Sequence, residues 1–141
     1  MKVCGVELKG NEAIISLISF EAGLYTLLDC RVRKIALANA KSSEDIKKFQ
    51  FDFAKLMQDY QIGQVVIKER LTKGKFAGGA VSFKLEAAIQ LIPNLDVALI
   101  TNSYIKESLK NNSLAYSFKE TGLKQFQEQA FNSALAFIAQ Q

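Results

Sequence analysis

The feature that most constrains this chain is a change of period partway along it. From Lys2 to Phe20 the residues are rich in Val, Ile and Leu, with one break at Lys9-Gly10-Asn11. Gly and Asn tolerate positive φ, so this break is hairpin chemistry between strands at Lys2–Leu8 and Glu12–Phe20. Glu21-Ala22-Gly23 makes a second short connection. Leu24–Leu37 then alternates, with Leu24, Thr26, Leu28, Cys30 and Val32 on one face and Tyr25, Asp29, Arg31 and Arg33 on the other. One covered face and one wet face suit a third strand at a sheet edge. At Ser42-Ser43 the alternation stops. Ser43 is the expected N-cap, with Glu44 and Asp45 in the first turn. Ile46, Phe49, Phe53, Leu56 and Met57 recur at helical spacing to about Tyr60, and Gly63 is the stop signal.

The remainder reads as strands separated by helices. Gln64–Glu69 is a short strand, and the helix before it implies that it runs parallel to the first. A Gly/Lys loop at Arg70–Gly79 leads to a helix at Ala80–Ile92, closed by Pro93. Asp96–Thr101 is a fifth strand, Ser103–Lys110 a short helix, Asn111–Phe118 a loop and Glu120–Ala139 the last helix. The last helix buries a stripe of Leu123, Phe126, Ala130, Ala134, Leu135 and Ile138. A meander followed by right-handed crossovers predicts a single α/β domain over 1–141, with a mixed five-stranded sheet in the order 3-2-1-4-5 and helices on its faces.

Composition narrows the chemistry. The 141 residues suit one domain, and 49% apolar content argues against disorder. No apolar run reaches about 18 residues, so no membrane span is expected. No secretory signal is visible, and Cys4 and Cys30 read as reduced thiols in apolar strands, so the expected location is cytoplasmic. The lack of His and of a Cys-x-x-Cys pair argues against a zinc site, and the lack of His excludes any histidine-dependent triad. The net charge of +4 and pI near 9.1 lean towards polyanionic partners.

Two places carry candidate chemistry. Glu7 ends the first strand beside apolar neighbours. It is either a solvated strand-tip acid next to Lys9 or part of a site that needs negative charge. Glu69 ends the fourth strand and is either a partner of Lys68 or Arg70 or a second member of that site. Within each strand odd positions share a face, so Glu7 goes with Val3 and Gly5, and Glu69 with Val65 and Ile67. If the strands pair in register, both acids point the same way. Gly5 leaves room for a ligand or for a packed helix. The segment Lys68-Glu-Arg-Leu-Thr-Lys-Gly-Lys-Phe-Ala-Gly-Gly79 carries four basic side chains and three glycines before a helix. Its backbone N–H groups could bind phosphate. Lys9, Arg70, Lys73 and Lys75 could contact a nucleic-acid backbone, and Phe76 could stack on a base. The spacing is not that of a Walker A loop. Arg31, Arg33 and Lys34 read as edge protection.

The strand order, with Cys4-Gly5-Val6-Glu7 and Val66-Ile67-Lys68-Glu69, resembles the ribonuclease H-like fold and, within it, the RuvC-type Holliday-junction resolvases. In that family the first strand ends aliphatic-Gly-aliphatic-Asp, the fourth ends in Glu after an aliphatic pair, and the last helix carries Asp-x-x-Asp-Ala-Leu-Ala. Here Glu7 replaces the first Asp and Glu69 arrives one residue late. Ala130-Phe131-Asn132-Ser133-Ala134-Leu135-Ala136 lacks both helix aspartates. Thr101-Asn102-Ser103-Tyr104-Ile105-Lys106 is similar to the family's polar segment after the fifth strand. The resemblance implies a Mg²⁺- or Mn²⁺-dependent nucleic-acid-processing protein, because two metal ions about 4 Å apart need several hard oxygen ligands. Glu7 and Glu69 would hold the metal and act in catalysis. The last helix would add Asn132 as a metal ligand or Glu128 as a catalytic substitute, with Glu120 more remote. The alternative is a non-catalytic module of the same fold that binds a nucleotide, nucleic acid or protein. Family members often pair, so a homodimer is a further expectation.

Overall fold

The computed structural model describes residues 1–75, 77–110 and 118–141. Strands β1 (Lys2–Lys9) and β2 (Glu12–Glu21) form the expected antiparallel hairpin, with Gly5 opposite Ser16 and Lys9 opposite Glu12. Gly10 takes φ 60° in the turn, a conformation that costs glycine nothing.

The third strand is two pieces. β3 (Leu24–Leu27) and β4 (Lys34–Ala36) both pair with β2, Leu27 opposite Ile18 and Lys34 opposite Ile14. Residues 29–32 leave the ladder between them, while the Leu28 N–H still donates to the Leu17 carbonyl and the Arg33 carbonyl still accepts the Ile15 N–H. Alternation placed Leu28, Cys30 and Val32 inward, where they pack against the core, but in β3 it is reversed: Leu24 and Thr26 are exposed and Tyr25 packs against the other face of the sheet. What removes the pairing is a tertiary pull. The Arg31 guanidinium donates to Asp59 at 2.6 Å, and its backbone N–H donates to the Tyr60 hydroxyl at 2.8 Å, both at the end of the first helix.

That helix, α1 (Ser43–Asp59), is capped one residue earlier than expected: the Asp45 N–H donates to Ser42 Oγ at 3.2 Å. β5 (Gln64–Lys68) lies parallel to β1, and β6 (Asp96–Ile100) parallel to β5. The sheet runs β3-β2-β1-β5-β6, with β4 also on β2. This is the expected 3-2-1-4-5 order, renumbered by the divided third strand. α2 (Ala80–Gln90) and α3 (Asn102–Lys110) follow β5 and β6.

The last helix, α4 (Glu128–Ala139), starts eight residues later than Glu120. Gly122 at φ 75° interrupts it, and the preceding residues form two 3₁₀ turns at Phe118–Thr121 and Gln125–Gln127. Gln127 turns inward, donating from Nε2 to the Ile15 carbonyl at 3.0 Å and accepting the Lys124 N–H on Oε1. The expected loop at Asn111–Phe118 falls, apart from Phe118, outside the described residues.

Two cores result, one on each face of the sheet. Cys4, Val6, Leu8, Ile15, Val65 and Ile67 pack on Phe49, Phe53, Leu56, Leu85 and Ile89 of α1 and α2. Val3, Ile18, Val66 and Ile100 pack on Ile105, Phe131, Ala134, Leu135 and Ile138 of α3 and α4. Gly5 sits under α4. A Cβ there would overlap the Ala130 carbonyl oxygen and come within 2.9 Å of Ala134 Cβ. Of the two roles considered for Gly5, the structure shows the packed helix. No helix among the described residues is long and apolar enough to cross a membrane.

Candidate nucleic-acid interface

The carboxyl ends of β1, β5 and β6 share one rim of the sheet, where crossover connections leave room for ligands. The register decides which side chains meet there. Val3 pairs with Gln64 and Val6 with Ile67, an offset of 64 − 3 = 61 residues. Because the offset is odd, odd positions of β1 share a face with even positions of β5. Gly5 meets α4, so Glu7 belongs to the α4 face. Val66 belongs to that face too, and Lys68 follows it. Ile67 faces α1 and α2, and Glu69 continues on that side.

The expectation that Glu7 and Glu69 point the same way is therefore corrected: strand alternation carries them to opposite faces. Two features agree with this assignment. The Lys68 ammonium donates to Gln129 Oε1, in the first turn of α4, at 3.0 Å. On the other face, the Glu86 carboxyl of α2 is held above the usual glutamate range, first by burial and then by the negative charge of Glu69. Glu86 Oε1 is buried with no hydrogen-bond partner among the described residues. The Glu69 backbone N–H donates to the Ile100 carbonyl at 2.8 Å, which anchors the strand end to β6.

The last helix does not complete a carboxylate set. Ala130 and Ala134 face Gly5. Positions two residues from them lie about 200° round the helix, so Glu128 and Asn132 sit on the far side of α4. Glu128 Oε2 accepts a bond from Gln125 Nε2 at 3.1 Å. Gln129 is the α4 residue that Lys68 meets, and one turn further on Ser133 Oγ donates to the Gln129 carbonyl at 2.8 Å. Glu120 lies in the first 3₁₀ turn. Among the described residues, no group of three or more His, Cys, Asp or Glu side chains could hold a metal ion. A divalent ion needs several hard oxygen ligands. The Glu7 side offers one carboxylate, one carboxamide already accepting from an ammonium, and one hydroxyl. That donor set does not fit a Mg²⁺ or Mn²⁺ centre.

The basic segment is more ordered than its composition implies. Gly74 takes φ 96°, the Ala77 N–H donates to the Gly74 carbonyl, and the Gly78 N–H donates to the Leu71 carbonyl at 2.8 Å. These two donors are used within the loop and are not offered to a phosphate. Lys73 and Lys75 are exposed, as is Lys9 at the hairpin tip. Arg70 is half-buried against Gly78, and its Nε has no hydrogen-bond partner among the described residues. Phe76 lies outside the described residues. An open cleft of about 510 Å³ follows the ends of β5 and β6, lined by Lys68, Glu69, Arg70, Leu71, Thr101 and Asn102. Thr101 Oγ accepts the Tyr104 N–H at 3.0 Å and caps α3, whose N-terminus opens on the cleft.

Lys68, Gln129 and Thr101 are the site residues that sequence reasoning missed. A signal for Lys68 was present. It directly follows Val65-Val66-Ile67, and moving one residue along a strand changes the face.

Comparison with known proteins agrees with the architecture. The model of a family described as "Protein of unknown function (DUF3010)" matches residues 1–137. No curated protein matches. The Thermus thermophilus RuvC structure superimposes with a TM-score of 0.73 at 13% identity, covering 99% of this chain and 94% of that one. The same RuvC in complex with a Holliday junction substrate gives 0.70 at 13% identity, covering 99% and 93%. The fowlpox virus Holliday junction resolvase gives 0.57 at 11% identity, covering 100% of both chains. The fold is that of the RuvC-like ribonuclease H superfamily.

Proposed function

The chain belongs to the DUF3010 family, and from its resolvase-like fold we infer that it binds nucleic acid by the phosphate backbone without cutting it. The rim of β1, β5 and β6 is the binding surface, with Lys68 and Arg70 in the cleft, Lys73 and Lys75 on the adjoining loop, and Lys9 at the hairpin tip. The observation that carries this reading is the separation of the two acids. Glu7 and Glu69 follow opposite faces of the sheet, and the β5 residue that shares Glu7's face is a lysine. In place of a cluster of metal-binding carboxylates the rim carries mixed charge, in which lysine and arginine side chains are available to a phosphate. The fold supports nucleic acid as the ligand, since a RuvC of this fold is known in complex with a junction substrate. The net charge of +4 agrees in sign. The reduced thiols expected of Cys4 and Cys30 suit a cytoplasmic binding protein.

The test is fluorescence anisotropy with labelled four-way-junction, duplex and single-stranded DNA over a salt series, with a gel of the same samples after incubation with Mg²⁺ or Mn²⁺. The expected result is binding that weakens with salt, with a log–log slope of about −3 for three to four phosphate contacts, and intact strands throughout. Metal-dependent cleavage lost in both Glu7→Gln and Glu69→Gln would establish a nuclease instead. Absence of binding to every nucleic acid would end the reading.

A further inference from the structure

We propose that the Lys68 ammonium does at this rim the electrostatic work that a divalent ion does in a carboxylate cluster, so that phosphate is held by a fixed cation and no metal is needed. The inference rests on the nucleic-acid reading above and adds the group that takes the phosphate and its independence of divalent ions. Continued one residue past the Val6–Ile67 pair, the register puts Lys68 beside Glu7 on the α4 face. Gly5 lets α4 pack directly on β1, which brings Gln129 within 3.0 Å of Lys68 Nζ. Gln129 is the positioning residue. An ammonium has three protons to donate, and the bond to Gln129 holds one while the others remain to be offered. Lys68 also lines the cleft at the strand ends, together with Arg70. Without the ammonium, Glu7 would repel a phosphate approaching the rim. With it, Lys68 offsets Glu7 and Arg70 offsets Glu69, which lines the same cleft, so the rim carries no net negative charge and the exposed Lys73 of the adjoining loop adds positive charge. The same ammonium repels a divalent cation from Glu7.

The experiment measures junction-DNA binding at matched ionic strength in EDTA and in Mg²⁺, for the wild type, Lys68→Arg, Lys68→Gln and Gln129→Leu. Mn²⁺-dependent thermal shifts are recorded for the wild type and Glu7→Gln without DNA. Wild-type affinity is expected to agree within about twofold between EDTA and Mg²⁺. Lys68→Gln should weaken binding about tenfold and make the salt slope shallower by about one. Lys68→Arg should restore most of the loss, and Gln129→Leu should lie between. Mn²⁺ should shift the wild-type melting temperature by less than about 1 °C. The proposal is overturned if wild-type binding requires Mg²⁺, if Lys68→Gln binds with unchanged affinity and slope while folded, or if Mn²⁺ gives a stabilisation that Glu7→Gln abolishes. If no DNA is bound by any variant, the functional reading falls and the phosphate role falls with it. The Mn²⁺ measurement still decides separately whether Lys68 keeps a metal from Glu7.

Discussion

Lys68 Nζ donates to Gln129 Oε1 across 3.0 Å and ties the end of β5 to the first turn of α4. The bond crosses the face of the sheet that carries Glu7. It orients a half-buried ammonium that would otherwise sweep through many rotamers. A hydrogen bond to a charged, partly buried group contributes more than a neutral surface bond. Gln129→Leu should therefore cost about 1 kcal/mol in urea unfolding. Gln125→Leu, at an exposed position, should cost less than about 0.5 kcal/mol. Equal effects at the two positions would mean that the Lys68–Gln129 bond contributes nothing.

Gly5 is the contact point between β1 and α4. Adding a methyl group there forces the Ala130 carbonyl and Ala134 aside, in a part of the core where both neighbours are fully buried. Gly5→Ala should destabilise the chain by about 3 kcal/mol, at the upper end of ordinary overpacking. Gly63→Ala is the control, because a Cβ there meets nothing within 4 Å. Its unfolding midpoint should move little.

These two glycines show what was legible in the sequence and what was not. The hairpin was, because strand alternation and a Lys-Gly-Asn turn are local signals. So was the sheet order, because helical crossovers leave few topologies. The division of the third strand was not. Its cause is the reach of Arg31 to Asp59 and Tyr60, between segments far apart in the chain. The late start of α4 depends on Gln127 reaching Ile15 across the fold. The faces of Glu7 and Glu69 depend on the β1–β5 offset, which the crossover through α1 sets and no residue within either strand announces. A one-residue difference in that offset would have put both acids together.

Glu86 provides a pH test. Its folded pKa is raised, first by burial and then by Glu69, so the folded state binds more protons than the unfolded state as pH climbs above the usual glutamate range. Its contribution to stability is present at acid pH and is lost as pH rises through the raised pKa. Glu86→Gln should raise the melting temperature at pH 7 and flatten its dependence on pH across that window. The gain should be modest, because Glu86 is only partly buried and the Glu69 repulsion is screened by salt. A drop in melting temperature at pH 7 would show that the carboxylate has a stabilising partner. Glu69→Gln should lower the Glu86 pKa only slightly by NMR titration, since burial is the larger cause.

The two thiols should differ in reactivity. Cys4 is fully buried and its pKa is pushed far up, mainly by burial. Cys30 is half-buried and also raised, again mainly by burial. Thiolate is the reactive form. At neutral pH a disulfide reagent should modify Cys30 slowly and leave Cys4 untouched until denaturant is added, as read by mass spectrometry. Labelling of Cys4 in the native chain would contradict the packing of β1 described above.

The most direct measurement is an NMR titration of the ¹⁵N-labelled chain, first with Mn²⁺ and then, in EDTA, with a short DNA duplex. Lys68 as the rim's own cation predicts that the Glu7, Lys68 and Gln129 amides keep their intensity in Mn²⁺ and shift together when the duplex is added. Saturable Mn²⁺ broadening of those three amides, abolished by Glu7→Gln, would contradict it and place a metal where the ammonium is argued to act.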